Sequence, residues 1–545
     1  MTGRSVGHRA PLLWLVLPYL AGLAAGRAGE FSPAGWHLAF ALVAIALAVF
    51  ALKRAPNVWA GALAGAMFLC GLAAYAHARA RLAGWENLPP REIRLALRVD
   101  RVFAQRDAKK ASGLGTVWRA DDHVRELRGQ RIYFSLTLRK GETVPVRSAV
   151  VSAVGVLVAL PASPPADTFD GYLAAAGVNF RLNRARTLGW ERPAHAYYRF
   201  CAESAARFRA TLGQGVAEKR PELAALLRAM MLGETHELSD EQRMLFMQSG
   251  TMHLFAISGL NIAVIAGSIQ AGLLLLRLPR WLQFVIGIGL LWLFVDITGA
   301  APSAVRAFIM AAFLQAAYVF RRPANLLAAL VASALVVLLV SPLQLFSASF
   351  LMSYGIVTAL LVLGLPLGEA WLARTAPWRH VPEVTWHWWQ RWIAWAWRGS
   401  VGAVAVGIAT TLVSLLTSVQ FFGLLTPGAL LANLVLIPAA GAATLGGFVS
   451  LICGLAGFGP GVVLCNHAGA LVLFVIEWLV RQSVRMPGAF LPAHFTASWI
   501  GPTALAALML ALLVGYATHW DRRAGSWWPP FVIVALVLLF GIRFG

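Results

Sequence analysis

His253, Ser258, Gly259 and Asn261 interrupt an otherwise apolar run at residues 249–267, SGTMHLFAISGLNIAVIAG. Three chemistries use such residues. A Ser beside a His can serve as nucleophile and base, but positions 253 and 258 point well apart on a continuous helix. Small and polar side chains also let membrane helices approach closely and hydrogen-bond across the contact. A loosened helix can instead line a wet cavity, where irregular backbone survives at membrane depth. On an unbroken helix His253 and Asn261, a little over two turns apart, would face the same way.

Residues 296–310, DITGAAPSAVRAFIM, hold a second constellation. Gly299 and Pro302 split a long apolar stretch, and Pro302 suits the first turn of a new helix, whose first N–H groups lack helical partners. Ser303 adds a hydroxyl, and Arg306 follows one turn in. An unpaired Arg in lipid costs about 3 kcal/mol. Arg306 therefore binds an anion together with the helix start, pairs with Asp296, or snorkels to the interface.

Two further runs are interrupted in the same way. SPLQLFSASFLMSYG at residues 341–355 places Ser347, Ser349, Ser353 and Tyr354 among aromatic residues, and LLTPGALLANLVLIPAAG at 424–441 brackets Asn433 with Pro427 and Pro438, another expected helix break. Each alone reads as ordinary membrane packing, whereas four interrupted segments in one chain point to a polar pathway built from discontinuous helices. Residues 371–398 carry eight tryptophans interleaved with His380, His387, Arg391 and Arg398. Trp favours the headgroup level, so the segment reads as an interfacial anchor, with base stacking as the other use of such residues.

Signatures of catalysis are missing. His236-Glu237 lacks the second His of a zincin helix, no phosphate-binding P-loop occurs, and the Gly-x-Ser-x-Gly match at residues 3–7 stands at the chain start with no apolar strand pattern before it, unlike a nucleophile elbow. The four cysteines, Cys70, Cys201, Cys453 and Cys465, have no metal-type spacing, and only Cys201 lies in the polar part of the chain. The expectation is a protein that is not an enzyme and holds no metal or cofactor.

The elements that must position these residues follow from composition. With 545 residues, 59% hydrophobic and 13% charged, the chain is far too apolar for a soluble protein. Apolar runs at about 11–27, 36–52 and 57–76 predict three N-terminal membrane helices, and about ten more runs fill residues 250–543. Between them, residues 79–220 hold 25 Lys and Arg against 13 Asp and Glu, a net charge of +12. The alternation of Ile93, Leu95, Leu97 and Val99, and of Ile132, Phe134, Leu136 and Leu138, predicts short strands and a small β-barrel or sandwich.

Positive charge at Arg4, His8 and Arg9, and again at Lys53 and Arg54, places the N-terminus inside and the basic domain outside. Arg277, Arg280, Arg321 and Arg322 then fall inside, while Arg481 and Arg485 fall on the wrong side, as though the helix count after residue 400 were off by one. The expected fold is thus a polytopic α-helical membrane protein with an extracytoplasmic small β domain inserted after three N-terminal transmembrane helices. Its divisions are residues 1–78 (helices), 79–195 (basic β domain), 196–248 (amphipathic helical connector), 249–455 (core with broken helices) and 456–545 (C-terminal helices).

Together the motifs resemble the ComEC competence family, membrane proteins that pass incoming DNA into naturally transformable bacteria. The similarity rests on MLGE at 231–234, SGTMHLFAISGLN at 249–261, GAAPSAVRAFIM at 299–310, SPLQLFSASFLMSYG at 341–355 and LLANLVLIP at 430–438, in that order. FDGYLAAAGV at 169–178 resembles the end of the family's outer OB-type domain. The chain departs from the family in carrying Asn261 where His is usual and Ser341 where Asp is usual. The metal motif of a β-lactamase-like domain found in longer members does not occur in it.

The resemblance implies an OB-like outer domain and a multi-pass channel in the bacterial inner membrane that passes single-stranded DNA during natural transformation. Its candidate conduit residues are His253, Ser258, Gly259, Asn261, Pro302, Ser303, Arg306, Ser353 and Asn433. The implied partners are single-stranded DNA and membrane lipids, with an extracytoplasmic DNA-binding competence protein, a separate nuclease and a cytoplasmic DNA motor. A transporter of another polyanion or of lipid would share the broken helices and the basic outer face. An intramembrane hydrolase built on Ser258 and His253, and a structural assembly factor, are the remaining alternatives.

Overall fold

The computed structural model describes residues 10–29, 34–79, 82–86, 88–107, 109–139, 141–161, 164–255, 257–323, 325–518 and 528–544. Arg4, His8 and Arg9 lie outside them. Among the described residues nine helical stretches are long and apolar enough to cross a membrane, and four shorter apolar helices accompany them. The protein is a multi-pass membrane protein.

The N-terminal helices are α1 (Leu13–Ala28), α2 (Ala34–Ala51) and α3 (Pro56–Ala78). Lipid offers no hydrophobic drive between helices, so close approach of small residues must hold them together. Gly22 and Gly71 provide it, lying against one another where α1 crosses α3; a Cβ on Gly71 would strike the Tyr19 carbonyl oxygen. Gly71→Val is therefore expected to lower stability by about 1–3 kcal/mol through overpacking. Gly61→Val on the same helix, where nothing lies within 4 Å, should be silent in the same detergent melt.

The basic segment forms a closed barrel of β1 (Arg91–Phe103), β2 (Lys110–Ala120), β3 (Arg131–Thr137), β4 (Val150–Ala159) and β5 (Phe180–Arg192), in the order β1-β2-β3-β5-β4. Only the β3–β5 pair is parallel, the arrangement of an OB-like barrel. Alternation puts Leu95, Leu97, Val99, Ile132, Phe134 and Leu136 inside, as the period of two requires. Helix α4 (Phe169–Ala175) links β4 to β5, its start capped by Thr168, whose hydroxyl accepts from the Gly171 amide at 3.1 Å.

Helices α5 (Ala196–Gly213), α6 (Pro221–Leu232) and α7 (Asp240–Gln248) lead into the core. Helix α6 is buried along nearly its whole length from Leu223 to Leu232. The core comprises α8 (Gly259–Leu275), α9 (Arg280–Ile297), α10 (Pro302–Val319), α11 (Leu326–Val340), α12 (Ala348–Ala359), α13 (Leu365–Thr375), α14 (Trp388–Phe422), α15 (Ala429–Leu455), α16 (Gly459–Arg485), α17 (Ile500–Ala517) and α18 (Trp528–Phe540).

One break in this core lies within the first interrupted run, and another expected break needs correction. Residues 249–267 do not form one helix: a short turn at Met252–Leu254 precedes a fresh start at Gly259, so His253 and Asn261 share no continuous helical face. Conversely, α15 runs unbroken through Pro438, because one lost backbone bond is tolerated where neighbouring helices and side chains compensate.

The C-terminal topology also differs from expectation. A second sheet, β6 (Leu424–Leu425), β7 (Leu491–Phe495) and β8 (Ile542–Phe544), joins the ends of α14, α16 and α18. The hairpins α15–α16 and α17–α18 therefore each leave from and return to one side, and alternation is kept. Arg481 belongs on that side, where its guanidinium lies 2.9 Å from Glu241 and 3.2 Å from Glu477. Glu241 follows Asp240, which pairs with Arg106 of the barrel segment. Local carboxylates thus surround an arginine on the barrel side.

Helix α14, at 35 residues, is about 52 Å long, well beyond the ~30 Å hydrocarbon core. Its first turns, with Trp388, Trp392 and Trp395 exposed, extend from the end remote from the second sheet.

Candidate functional site

The site begins where α8 starts. Ser258 caps the helix, its Oγ accepting from the Asn261 amide at 3.3 Å and donating to Asn261 Oδ1 at 3.1 Å. Polar side chains here replace the backbone partners that a helix end lacks. Asn261 is buried; its Nδ2 donates to the Met230 carbonyl at 3.0 Å, and its Oδ1 also accepts from Thr444 Oγ1 at 3.3 Å. It thus pins α8 to both α6 and α15. Gly259 leaves space beside the cap, since the nearest atom to a Cβ there is Ala307 Cβ at 4.0 Å.

The turn between α9 and α10 faces this cap. Gly299 and Ala300 both have positive φ, which reverses the chain sharply, and Pro302 opens α10. Ser303 Oγ donates to the Ile257 carbonyl at 2.6 Å, tying the two helix starts together. Arg306, only 3% exposed, lies one turn down α10. Its Nη2 donates to the carbonyl and hydroxyl oxygens of Ser349, both at 2.7 Å, and its Nη1 approaches Gln344 Oε1 at 3.5 Å. Its Nε is buried without a hydrogen-bond partner among the described residues. Among the described residues no carboxylate forms an ion pair with it, so the positive charge stands uncompensated in a low-dielectric setting.

Asp296 has other partners. Its carboxylate, 2% exposed, takes Arg147 Nη1 at 3.1 Å and the Tyr197 hydroxyl at 2.9 Å. Arg147 lies on the segment joining β3 to β4 and stacks over Tyr198 at 4.8 Å. Burial, and then the bond to Asp296, push the Tyr197 hydroxyl far above its usual range, so it remains a donor at any physiological pH. The barrel is thereby docked beside the α9–α10 turn. A second dock uses Arg106, which donates to the carbonyls of His236 and Leu238 at 2.9 and 2.5 Å.

The remaining sequence candidates are less connected. His253 is exposed, with Nδ1 3.0 Å from the Gly250 carbonyl oxygen. Ser258 bonds to Asn261 rather than to this imidazole, an arrangement with no nucleophile–base pair in it. Ser353 lies one turn beyond Ser349 on α12. Asn433 stands one turn into α15 with its Oδ1 buried and without a hydrogen-bond partner among the described residues. Ser258, Gly259, Asn261, Pro302 and Ser303 thus meet where α8 and α10 start, with Arg306 one turn down α10, whereas His253, Ser353 and Asn433 lie on the turn before α8, on α12 and on α15.

Sequence reasoning missed Gln344, Ser349, Arg147 and Tyr197 as partners of the charged groups. It also missed four rings on the barrel, Phe103, Tyr133, Phe169 and Tyr172. Phe103 and Tyr133 stack with centroids 6.3 Å apart, and Phe169 and Tyr172 stack at 5.9 Å. The one available signal was FDGYLAAAGV, which contains two of them.

Comparison with known proteins places this site in context. A family model described as Competence protein matches residues 230–521. ComE operon protein 3 of Bacillus subtilis (strain 168) is 28% identical over 142 residues, covering 26% of this chain and 18% of that relative. The chain thus matches less than a fifth of that relative's length. No solved structure matches. The family match covers more than half of the 545 residues and includes Ser258, Asn261, Ser303, Arg306, Ser349 and Asn433: the chain belongs to the competence protein family.

Proposed function

We propose that the protein passes one strand of DNA across the bacterial inner membrane during natural transformation. The observation that carries this reading is Arg306, a buried guanidinium with no carboxylate partner among the described residues, at the helix mouth beneath a basic barrel. A polyanion supplies the missing negative charge. The barrel concentrates DNA by phosphate contacts, an attraction independent of sequence and weakened by salt. A strand then passes the α8 and α10 starts, where Ser258, Gly259, Pro302 and Ser303 lie beside Arg306 and where Asn261 holds the frame. His253, Ser353 and Asn433 flank the route.

Sparse positive lining favours passage over retention, because many fixed charges would hold each phosphate too tightly. The partners that complete the process are a DNA-binding competence protein outside, a separate nuclease and a cytoplasmic DNA motor, with lipid surrounding the helices. The test is uptake of marked DNA by a competent host carrying the gene or a deletion of it. The deletion should lose internalised DNA and keep surface-bound DNA. Normal uptake by the deletion strain would rule out the DNA reading and favour transport of another polyanion or of lipid.

A further inference from the structure

Four aromatic side chains from distant parts of the chain meet on the surface of the barrel. Phe103 closes β1, Tyr133 lies on β3, and Phe169 and Tyr172 lie on α4. Each touches two of the others: Phe103 and Tyr133 are 6.3 Å apart at an interplanar angle of 26°, and Tyr133 and Phe169 are edge-on at 5.3 Å. Phe169 and Tyr172 are stacked at 5.9 Å and 16°, and Phe103 and Tyr172 close the ring at 6.2 Å. Two arginines border it, Arg101 at 5.6 Å from the Phe103 centroid and Arg181, which also pairs with Asp170, at 5.3 Å from that of Phe169.

This ring is not part of the barrel interior. A small buried cluster of Leu114, Leu160, Leu173 and Val178 lies beneath it, while Phe169 and Tyr172 remain 47% and 40% exposed. Aromatic faces beside guanidinium groups are the chemistry that stacks unpaired bases while neutralising phosphates. A duplex hides its base faces within its own stack, so the ring has little to offer it.

The position of the ring strengthens the reading. Helix α4 packs against the turn at Pro342–Phe346, and a Cβ on Gly177 would lie 3.6 Å from Leu343 Cδ1. The next residue, Gln344, faces Arg306. We propose that Phe103, Tyr133, Phe169 and Tyr172 form a base-stacking site for single-stranded nucleic acid, placed to deliver an already separated strand to the Arg306 mouth. The delivery role rests on the DNA-transport reading; the binding site does not.

The test uses the full-length protein in nanodiscs of zwitterionic lipid, probed with a short fluorescent oligothymidylate and with a duplex of matched length. Phe169→Ala and Tyr172→Ala should each weaken oligothymidylate binding by about tenfold and leave duplex binding nearly unchanged. Phe169→Trp should restore binding. Equal losses for both probes, or no loss, would overturn the site. So would unchanged oligothymidylate binding with reduced attachment of the protein to anionic vesicles, which would make the ring a lipid anchor. Photocrosslinking of a bromodeoxyuridine oligonucleotide to the unsubstituted protein needs no variant to fold: it should label the α4 segment, and labelling elsewhere alone would also overturn the site. Selective binding here, combined with normal uptake by a deletion strain, would sink only the transport reading.

Discussion

Arg306→Gln should abolish internalisation of DNA while the protein remains in the membrane at its normal level. Glutamine keeps an N–H donor for the Ser349 carbonyl, which Arg306 engages at 2.7 Å, but carries no charge. An unpaired cation at membrane depth costs about 3 kcal/mol, a penalty that a passing phosphate relieves, so losing that pairing should slow passage by roughly a hundredfold at 1.4 kcal/mol per decade. Arg306→Lys retains the charge without the planar fork that spans Ser349 and Gln344, and uptake should fall by about tenfold. Ser349→Ala removes one hydroxyl acceptor and leaves the guanidinium in place, with an effect of only a few fold. Uptake, surface-bound DNA and membrane level are measured together for each variant. If Arg306→Gln transports normally, the buried charge has no part in the conduit and Arg306 is a helix–helix tie.

What the sequence revealed of this mouth depended on distance along the chain. Alternation is local, so the spacing of Leu95, Leu97, Ile132 and Phe134 by itself assigns them to the buried face of short strands, in a barrel or a sandwich alike. Gly299 and Pro302 likewise marked a helix boundary, because backbone restrictions act within a few residues. Ser258 was visible as an interruption but not as a cap, since the same residue types serve helix packing equally well. Pro438 misled in the opposite direction: a proline marks a missing bond, and only the surroundings decide whether the helix survives it. Asp296 and Arg147 are 149 residues apart, and the four barrel rings come from three elements, so neither grouping leaves a periodic trace. Arg306 was legible as an anomaly of burial and charge, while its partners Gln344 and Ser349 depended on the packing of α10 against α12 and the turn at Pro342–Phe346.

Arg147→Ala should be more harmful than Arg147→Ala combined with Asp296→Asn. The carboxylate of Asp296 is 2% exposed and has two donors, Arg147 at 3.1 Å and the Tyr197 hydroxyl at 2.9 Å. Removing Arg147 leaves a buried anion with a single donor, at a cost of about 1–3 kcal/mol. Arg147 itself is 42% exposed, so the attraction of the pair is screened and contributes less than the penalty of breaking it. Asparagine at 296 keeps an acceptor for Tyr197 and removes the charge, so the double variant should melt within about 1 kcal/mol of Asp296→Asn alone. That implies a coupling in the range of 0.5–3 kcal/mol expected for residues in direct contact. On the proposed route the same cycle should appear in DNA uptake, and more steeply, because a bare carboxylate beside the α9–α10 turn would repel each arriving phosphate. Equal uptake by Arg147→Ala and the double variant would separate the two readouts. Arg147 would then act on DNA directly, and neutralising Asp296 would be only its structural duty.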